Sequence, residues 1–457
     1  MKPSVSAAAS HLNTVRCGLY FTGQNLFYLL IYMYMNTYFT DIGIPVLAVA
    51  AIALVVRLFD ACTGPVIGSR LSRFRENPRA LRWLRLTVLL VPLCAVALFS
   101  IPSRFSPFVK ILLATGGYLL WDTAYTLCNA PLFGIEGAVT EIRQGHTVLS
   151  PVGRLCAIVS MGVITVFIPG FRTVLGGWSG TVAIVSVVGL IVMLPGCFRS
   201  GACSDSPRAK RFVSIRQIGA YLRGNRYLTI FYLAFLLTGT LNVSSCWGLY
   251  MARYCLGHEG ILAVTGILTM IPGILLGALL PNLLRRADKF RVYYCAALLA
   301  VAMQLVRYLA GYENLPVYLL TTVLVSIPTG FTTSILFSFT HDCAEYGRYV
   351  GQVSDPAVPF ATQMFFVKLQ SGCVLALSSM LLAAMGFAEG EGAIQAPGFA
   401  DRLWCMGNLL PAAGMLCGLL VLREYDLRDH DVELMHMCNE GIISRAEARR
   451  QIRHCTF

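Results

Sequence analysis

The stretch Val55–Gly68, VVRLFDACTGPVIG, sets Arg57 and Asp60 inside a run of otherwise apolar and small residues. The run from Pro45 to Ile67 is long enough to cross a bilayer as a helix. A charge held in hydrocarbon costs at least a few kcal/mol unless it faces a partner or a water-filled cavity. Arg57 and Asp60 are three residues apart, so on a helix they share a face and partly neutralise each other. Two readings fit the pair: an ion pair gluing helices together, or an ionisable functional site.

The rest of the chain has the same character. Of 457 residues, 56% are hydrophobic and 13% charged, and the mean hydropathy of +0.66 is far too apolar for a soluble protein of this size. Twelve apolar runs can be drawn, near 17–39, 45–67, 84–101, 107–133, 147–168, 178–197, 227–250, 261–281, 291–311, 316–340, 360–387 and 403–422. Backbone in hydrocarbon must pair internally, and these runs are too long for barrel strands, so the fold class is all-α, a polytopic membrane protein of twelve transmembrane helices. The polar lead-in Met1–Arg16 and the absence of a small-residue cleavage site after the first run predict a retained helix and no signal peptide.

A formal net charge of +13 raises nucleic acid as a partner, but the basic residues fall in short loops between apolar runs, where orientation rules account for them. Arg70, Arg73, Arg75, Arg79, Arg82 and Arg85 follow the second run, and Arg285, Arg286, Lys289 and Arg291 follow the eighth. The central stretch Arg199–Arg226 adds seven more basic residues against Asp205. These segments lie on one side, the cytoplasmic one, and both termini join them; Arg104, Arg172, Arg253 and Arg402 are the main exceptions opposite. The expected organisation is an N-terminal six-helix bundle at 1–198, a cytoplasmic central loop at 199–226, a C-terminal six-helix bundle at 227–422 and a cytoplasmic tail at 423–457. Arginine-rich loops after the second run of each half form a weak internal repeat. The tail is expected to be a solvated helix from Asp431 onward.

Sixteen scattered cysteines, none in a C-x-x-C pair, read as small hydrophobes, and seven histidines show no metal-ligand spacing, so no metal site is expected. The chemistry lies in two stripes. Phe21, Asn25, Tyr28, Tyr32 and Asn36 share a face of the first run; Tyr118, Asp122, Tyr125, Asn129 and Phe133 share a face of the fourth, with Trp121 beside them. Faces combining amides, phenols and a carboxylate suit an aqueous cavity. Amides and carboxylates bond hydroxyls while aromatic rings cover the C–H face of a sugar. Polar glue between helices is the competing reading. At ~1.5 Å per residue, Asn25, Asp60, Asn129 and Arg154 fall roughly 5 to 12 Å from the cytoplasmic ends of their helices, and Lys368 in the eleventh run reaches the same level or snorkels to the interface.

Several segments carry a family resemblance: GQNLFYLLIYMYMNTYFTDIG from Gly23, RLFDACTGP from Arg57, YTLCNAPLF from Tyr125, SPVGRLCA from Ser150, HDCAEYGRY from His341 and QMFFVKLQSG from Gln363. In order and spacing the chain resembles the glycoside-pentoside-hexuronide cation symporters, the melibiose permease branch of the major facilitator superfamily. The resemblance implies sugar contacts at Asn25, Asn129, Phe133 and Arg154, and cation coupling at Asp60, Gly64 and Asn129 with Lys368 nearby. The family pattern has carboxylates where this chain has Asn25, Gly64 and Asn129, and tryptophan where it has Phe133. A sodium ion wants several hard anionic oxygens, so proton coupling through Asp60 is expected over sodium.

The expectation is therefore a monomeric plasma-membrane carrier, embedded in lipid, that moves a sugar, glycoside or hexuronide without a cofactor. Its substrate-binding residues are Asn25, Tyr32, Trp121, Asp122, Tyr125, Asn129, Phe133 and Arg154, and its coupling residues Asp60, Arg57 and Lys368. A cation-independent facilitator, a polytopic enzyme using the His341–Glu345 cluster and a non-transporting sensor are the alternatives. Setting Arg57 against Asp60 leaves Arg154 and Lys368 opposed by Asp122 alone, which favours an acidic sugar, whereas the resemblance alone favours a neutral one.

Overall fold

The computed structural model of the protein describes residues 5–74, 79–140, 149–197, 215–284, 286–336, 338–351, 357–452 and 454; side chains are described within these except at 5–14, 17, 61–74, 79–85, 87, 129–140, 149–155, 215, 277, 278, 281, 357 and 360. The first six runs become α1 (Val5–Asp41), α2 (Val46–Phe74), α3 (Arg79–Leu98), α4 (Pro107–Thr140), α5 (Leu149–Leu175) and α6 (Trp178–Cys197). Within the stretch expected to be a loop, a short helix, α7 (Ile215–Gly224), precedes the seventh run. That run is broken: α8 (Arg226–Thr240) ends at a 3-10 turn, Val243–Ser245, and resumes as α9 (Gly248–Tyr254). Then come α10 (Ile261–Leu284), α11 (Lys289–Ala310), α12 (Leu315–Leu336), α13 (Ser338–Tyr349), α14 (Ala357–Ala384), α15 (Phe399–Leu422), α16 (Asp429–Asn439) and α17 (Arg445–Gln451). Among the described residues, six helical stretches are long and apolar enough to cross a membrane by themselves. Leucines such as Leu54, Leu58, Leu93, Leu112, Leu275, Leu309 and Leu320 stand exposed, as a lipid-facing surface requires.

The chain groups into two compact units. The first holds Met1–Lys210, Cys246–Ile274 and Ser378–Ala400. Within it α1 packs on α5 and α6, α3 on α4 and α6, and α2 on α4. Glycines permit the closest approaches: a Cβ on Gly23 would sit 2.3 Å from Met193 Cγ, and one on Gly189 2.8 Å from the Phe27 ring. The same device brings α10 onto α5, where a Cβ on Gly266 would meet Thr165 Cγ2 at 2.6 Å.

The second unit holds Arg211–Ser245, Leu275–Leu377 and Asp401–Phe457. Its core is aromatic, with Phe231 and Tyr232 on α8, Phe290 on α11, Phe339 on α13 and Tyr425 after α15. The tail departs from the solvated helix expected of it. Met435 and Ala448 are fully buried, as is Asp431, whose carboxylate accepts from the His454 backbone N–H at 3.1 Å. Asn439 donates to the Glu345 carboxylate at 2.8 Å, and the Arg428 guanidinium lies 3.9 Å from the Phe290 ring centre. Apolar side chains on α16 and α17, Leu434, Met435 and Ala448, thus pack inward, and apart from the buried Asp431 most of the tail's charges stand at the rim.

Candidate functional site

In the first unit α1, α2 and α4 bring one buried charge cluster together with one aromatic stack. Arg57 and Asp60 both point inward, with 8% and 2% of their surface exposed. The hydrogen bond of Arg57 crosses to α4, from Nη1 to Asp122 Oδ1 at 3.4 Å, rather than closing on Asp60 along its own helix. Asp60 Oδ1 accepts instead from Thr126 Oγ1 at 3.3 Å, while its charge still faces Arg57. The guanidinium also lies 5.8 Å from the centre of the Tyr118 ring. Among the described residues, Arg57 Nε, Tyr118 Oη and Trp121 Nε1 are buried without a hydrogen-bond partner. Buried donors of this kind are costly unless something completes them. A hydroxylated substrate or ordered water fits that need.

Described aromatic members of the two stripes lie in contact. Tyr28 stacks on Tyr32 at 5.8 Å and on Tyr125 of α4 at 6.2 Å, and Tyr125 stacks on Trp121 at 5.0 Å with planes 15° apart. A continuous band of π surface therefore runs from α1 to α4 beside the charges. Asn25 is half-buried on the same helix, its Nδ2 donating to Phe21 O at 2.9 Å. Gly64, Asn129, Phe133 and Arg154 lie on helical backbone but outside the residues whose side chains are described. Lys368 is half-buried on α14 in the second unit. Across the described residues of the first unit's site, one arginine faces two carboxylates, Asp60 and Asp122.

A second charge cluster went unrecognised in the sequence. At the end of α1, Asp41 accepts from Arg253 Nη1 at 2.7 Å, Arg172 Nη2 at 3.1 Å and Trp178 Nε1 at 3.0 Å. Glu259 accepts from Arg172 at 2.7 Å and Arg253 at 2.9 Å, and Glu391 also pairs with Arg172. The loop after α14 is strapped to this point. Gly390 N–H donates to Thr40 O at 2.9 Å, Glu391 N–H to Asp41 O at 3.0 Å, and Glu389 caps the start of α2 at Val46 N, 3.1 Å away. Asn36, about five residues and ~7.5 Å deeper along α1, donates to Ser378 and Ser379 at 3.1 Å each. The available signal was the rarity of charge on that side: Arg172 and Arg253 stood out as exceptions there.

A buried, partly unsatisfied charge-and-aromatic site within a polytopic helical chain has the make-up of a membrane carrier's binding site. Comparison with known proteins gives the family. Residues 18–429 match the family described as MFS/sugar transport protein, and the chain belongs to it. An uncharacterized symporter of Bacillus subtilis, YjmB, is 23% identical over 406 residues, covering 85% of this chain and 86% of that protein. A glucuronide carrier protein homolog of Escherichia coli is 23% identical over 417 residues, covering 87% and 88%. The crystal structure of the nucleoside transporter NupG superposes with a TM-score of 0.63 at 14% identity, covering 90% of this chain and 99% of that one, which shows the major facilitator fold. The chain is therefore a multi-pass membrane transport protein with that fold.

Proposed function

We propose that the protein is a proton-coupled plasma-membrane symporter for a sugar, glycoside or hexuronide, working by alternating access between its two six-helix halves with both termini in the cytoplasm. The observation that carries this reading is the juxtaposition on α1, α2 and α4: an aromatic band from Tyr32 to Trp121 beside the Arg57–Asp122 pair and Asp60. Aromatic faces take the C–H side of a pyranose and the orphaned Trp121 and Tyr118 donors take its oxygens. Asp60, whose Oδ1 accepts from Thr126 Oγ1, is the group that exchanges a proton. Gly64 and Asn129 supply no anionic oxygens for sodium. The family membership and the symporter and glucuronide-carrier relatives support the same class.

Because Asp122 already offsets Arg57, an acidic sugar would have to be recognised by Arg154 or Lys368. The Asp41–Arg172–Arg253–Glu259–Glu391 cluster serves as the outer gate. A thermal-shift panel of neutral glycosides and matched uronides, at two pH values with and without sodium, tests the reading. Stabilisation by a glycoside or uronide that Trp121→Ala reduces is expected; stabilisation by no sugar in the panel would overturn it.

A further inference from the structure

On the second unit, α7, the first half of α8 and the end of α15 line a shallow, open groove of about 560 Å3. Its head is basic. Arg223 at the end of α7 is exposed and has no hydrogen bond or ion pair among the described residues. Arg226 opens α8 three residues later, its Nη2 reaching the exposed Glu424 at 3.1 Å. Among the residues that line the groove, two arginines stand against one acid, Glu424. Below the head the groove is aliphatic. Arg226, Ile230 and Leu233 stand at i, i+4 and i+7, one stripe of α8. From Arg226 to Leu233 that stripe spans about 10 Å, and Val421 of α15 forms the facing wall.

The corner that shapes this groove is built rather than loose. Asn225 is fully buried between α7 and α8; its Oδ1 caps Leu228 N at 3.0 Å and its Nδ2 donates to Cys343 O at 2.7 Å. Thr229 Oγ1 donates to Leu222 O at 2.7 Å, tying the two helices together at the groove itself. Gly347 leaves room for the corner, since a Cβ there would come within 3.1 Å of Tyr221 Oη. Arg223 and Arg226 are therefore presented at a fixed spacing directly above the lipid-exposed Leu233.

We propose that this groove binds an anionic phospholipid, with its phosphate against Arg223 and Arg226 and one acyl chain along Ile230, Leu233 and Val421. A charged head above an aliphatic stripe on a membrane helix matches one ligand chemistry, a phosphate esterified to a hydrocarbon tail. Free phosphate would leave the stripe unused, and a zwitterionic lipid would bring its own cation to an already basic head. The proposal rests on the chain's membrane placement and is independent of the sugar assignment.

The test is lipid binding to the purified full-length protein in neutral detergent, followed by native mass spectrometry with phosphatidylglycerol, phosphatidylcholine and inorganic phosphate as probes. Phosphatidylglycerol is expected to bind at least tenfold more tightly than phosphatidylcholine, with about a fivefold loss for each of Arg223→Gln and Arg226→Gln. Glu424→Gln, which leaves both arginines in place, is expected to bind it at least as well as the unsubstituted protein. Undiminished phosphatidylglycerol preference in the double arginine variant would overturn the proposal. So would full competition by inorganic phosphate, or weakened binding in Glu424→Gln.

Discussion

Replacing Arg172 by glutamine should open the outer side of the carrier, and the size of the effect follows from its contacts. Its guanidinium is 6% exposed, bonds Glu259 and Asp41, pairs with Glu391 and lies 4.6 Å from the Trp178 ring centre. With Arg253 the cluster sets two cations against three carboxylates; the variant sets one against three. Removing one partner of a buried ion pair costs about 3–5 kcal/mol when nothing compensates. Here Arg253 and Trp178 still hold Asp41, and Glu391 is largely solvated, which reduces the loss to about 2 kcal/mol. On the proposed gate these contacts break when the outer side opens, so that energy shifts the closed-to-open ratio by roughly 30-fold. Ser378, fully buried and bonded to Asn36, reports the change. In a Ser378→Cys background, modification by a membrane-impermeant maleimide from outside should be at least tenfold faster with Arg172→Gln. Rates within threefold of each other would refute the gate.

Three further outcomes are expected. Sodium should change substrate affinity by less than about threefold, or roughly 0.7 kcal/mol, measured by calorimetry at fixed pH; a tenfold enhancement would reveal cation ligands not identified here. Trp121→Ala breaks the stack with Tyr125 and should weaken sugar binding by about 1 kcal/mol, near fivefold, and unchanged affinity would place the sugar elsewhere. Met435→Ala removes a fully buried side chain from the docked tail and should cost about 2–5 kcal/mol, seen as a lower thermal midpoint; an unchanged midpoint would return the tail to a solvated helix.

What the sequence made legible is what depends on one helix at a time. Apolar runs located the membrane helices, and spacings of four and three residues aligned Tyr28 with Tyr32 and Asp122 with Tyr125, because a helical period of 3.6 puts such residues on one face. Partners across helices were less accessible. Arg57 was set against Asp60 because both lie in one short motif, whereas its bond goes to Asp122, 65 residues away. The Asp41 cluster gathers single charges from separate segments, each unremarkable alone. The break in the seventh helix lay in Asn242, Ser244 and Ser245, turn-forming residues hidden within an apolar run. Docking of α16 and α17 escaped notice because their buried positions are few and their charges many.

Uptake of labelled glucuronide and matching glucoside into proteoliposomes under an inward proton gradient, comparing the unsubstituted protein with Asp60→Asn, tests the central claim most directly. Accumulation of at least one sugar above equilibrium is predicted for the unsubstituted protein, abolished by a protonophore. Asp60→Asn should lose that accumulation yet retain part of its exchange of bound sugar, since orientation needs only hydrogen bonds while coupling needs a titratable group. Undiminished accumulation by Asp60→Asn, or no uptake of either sugar by the unsubstituted protein, would contradict the account.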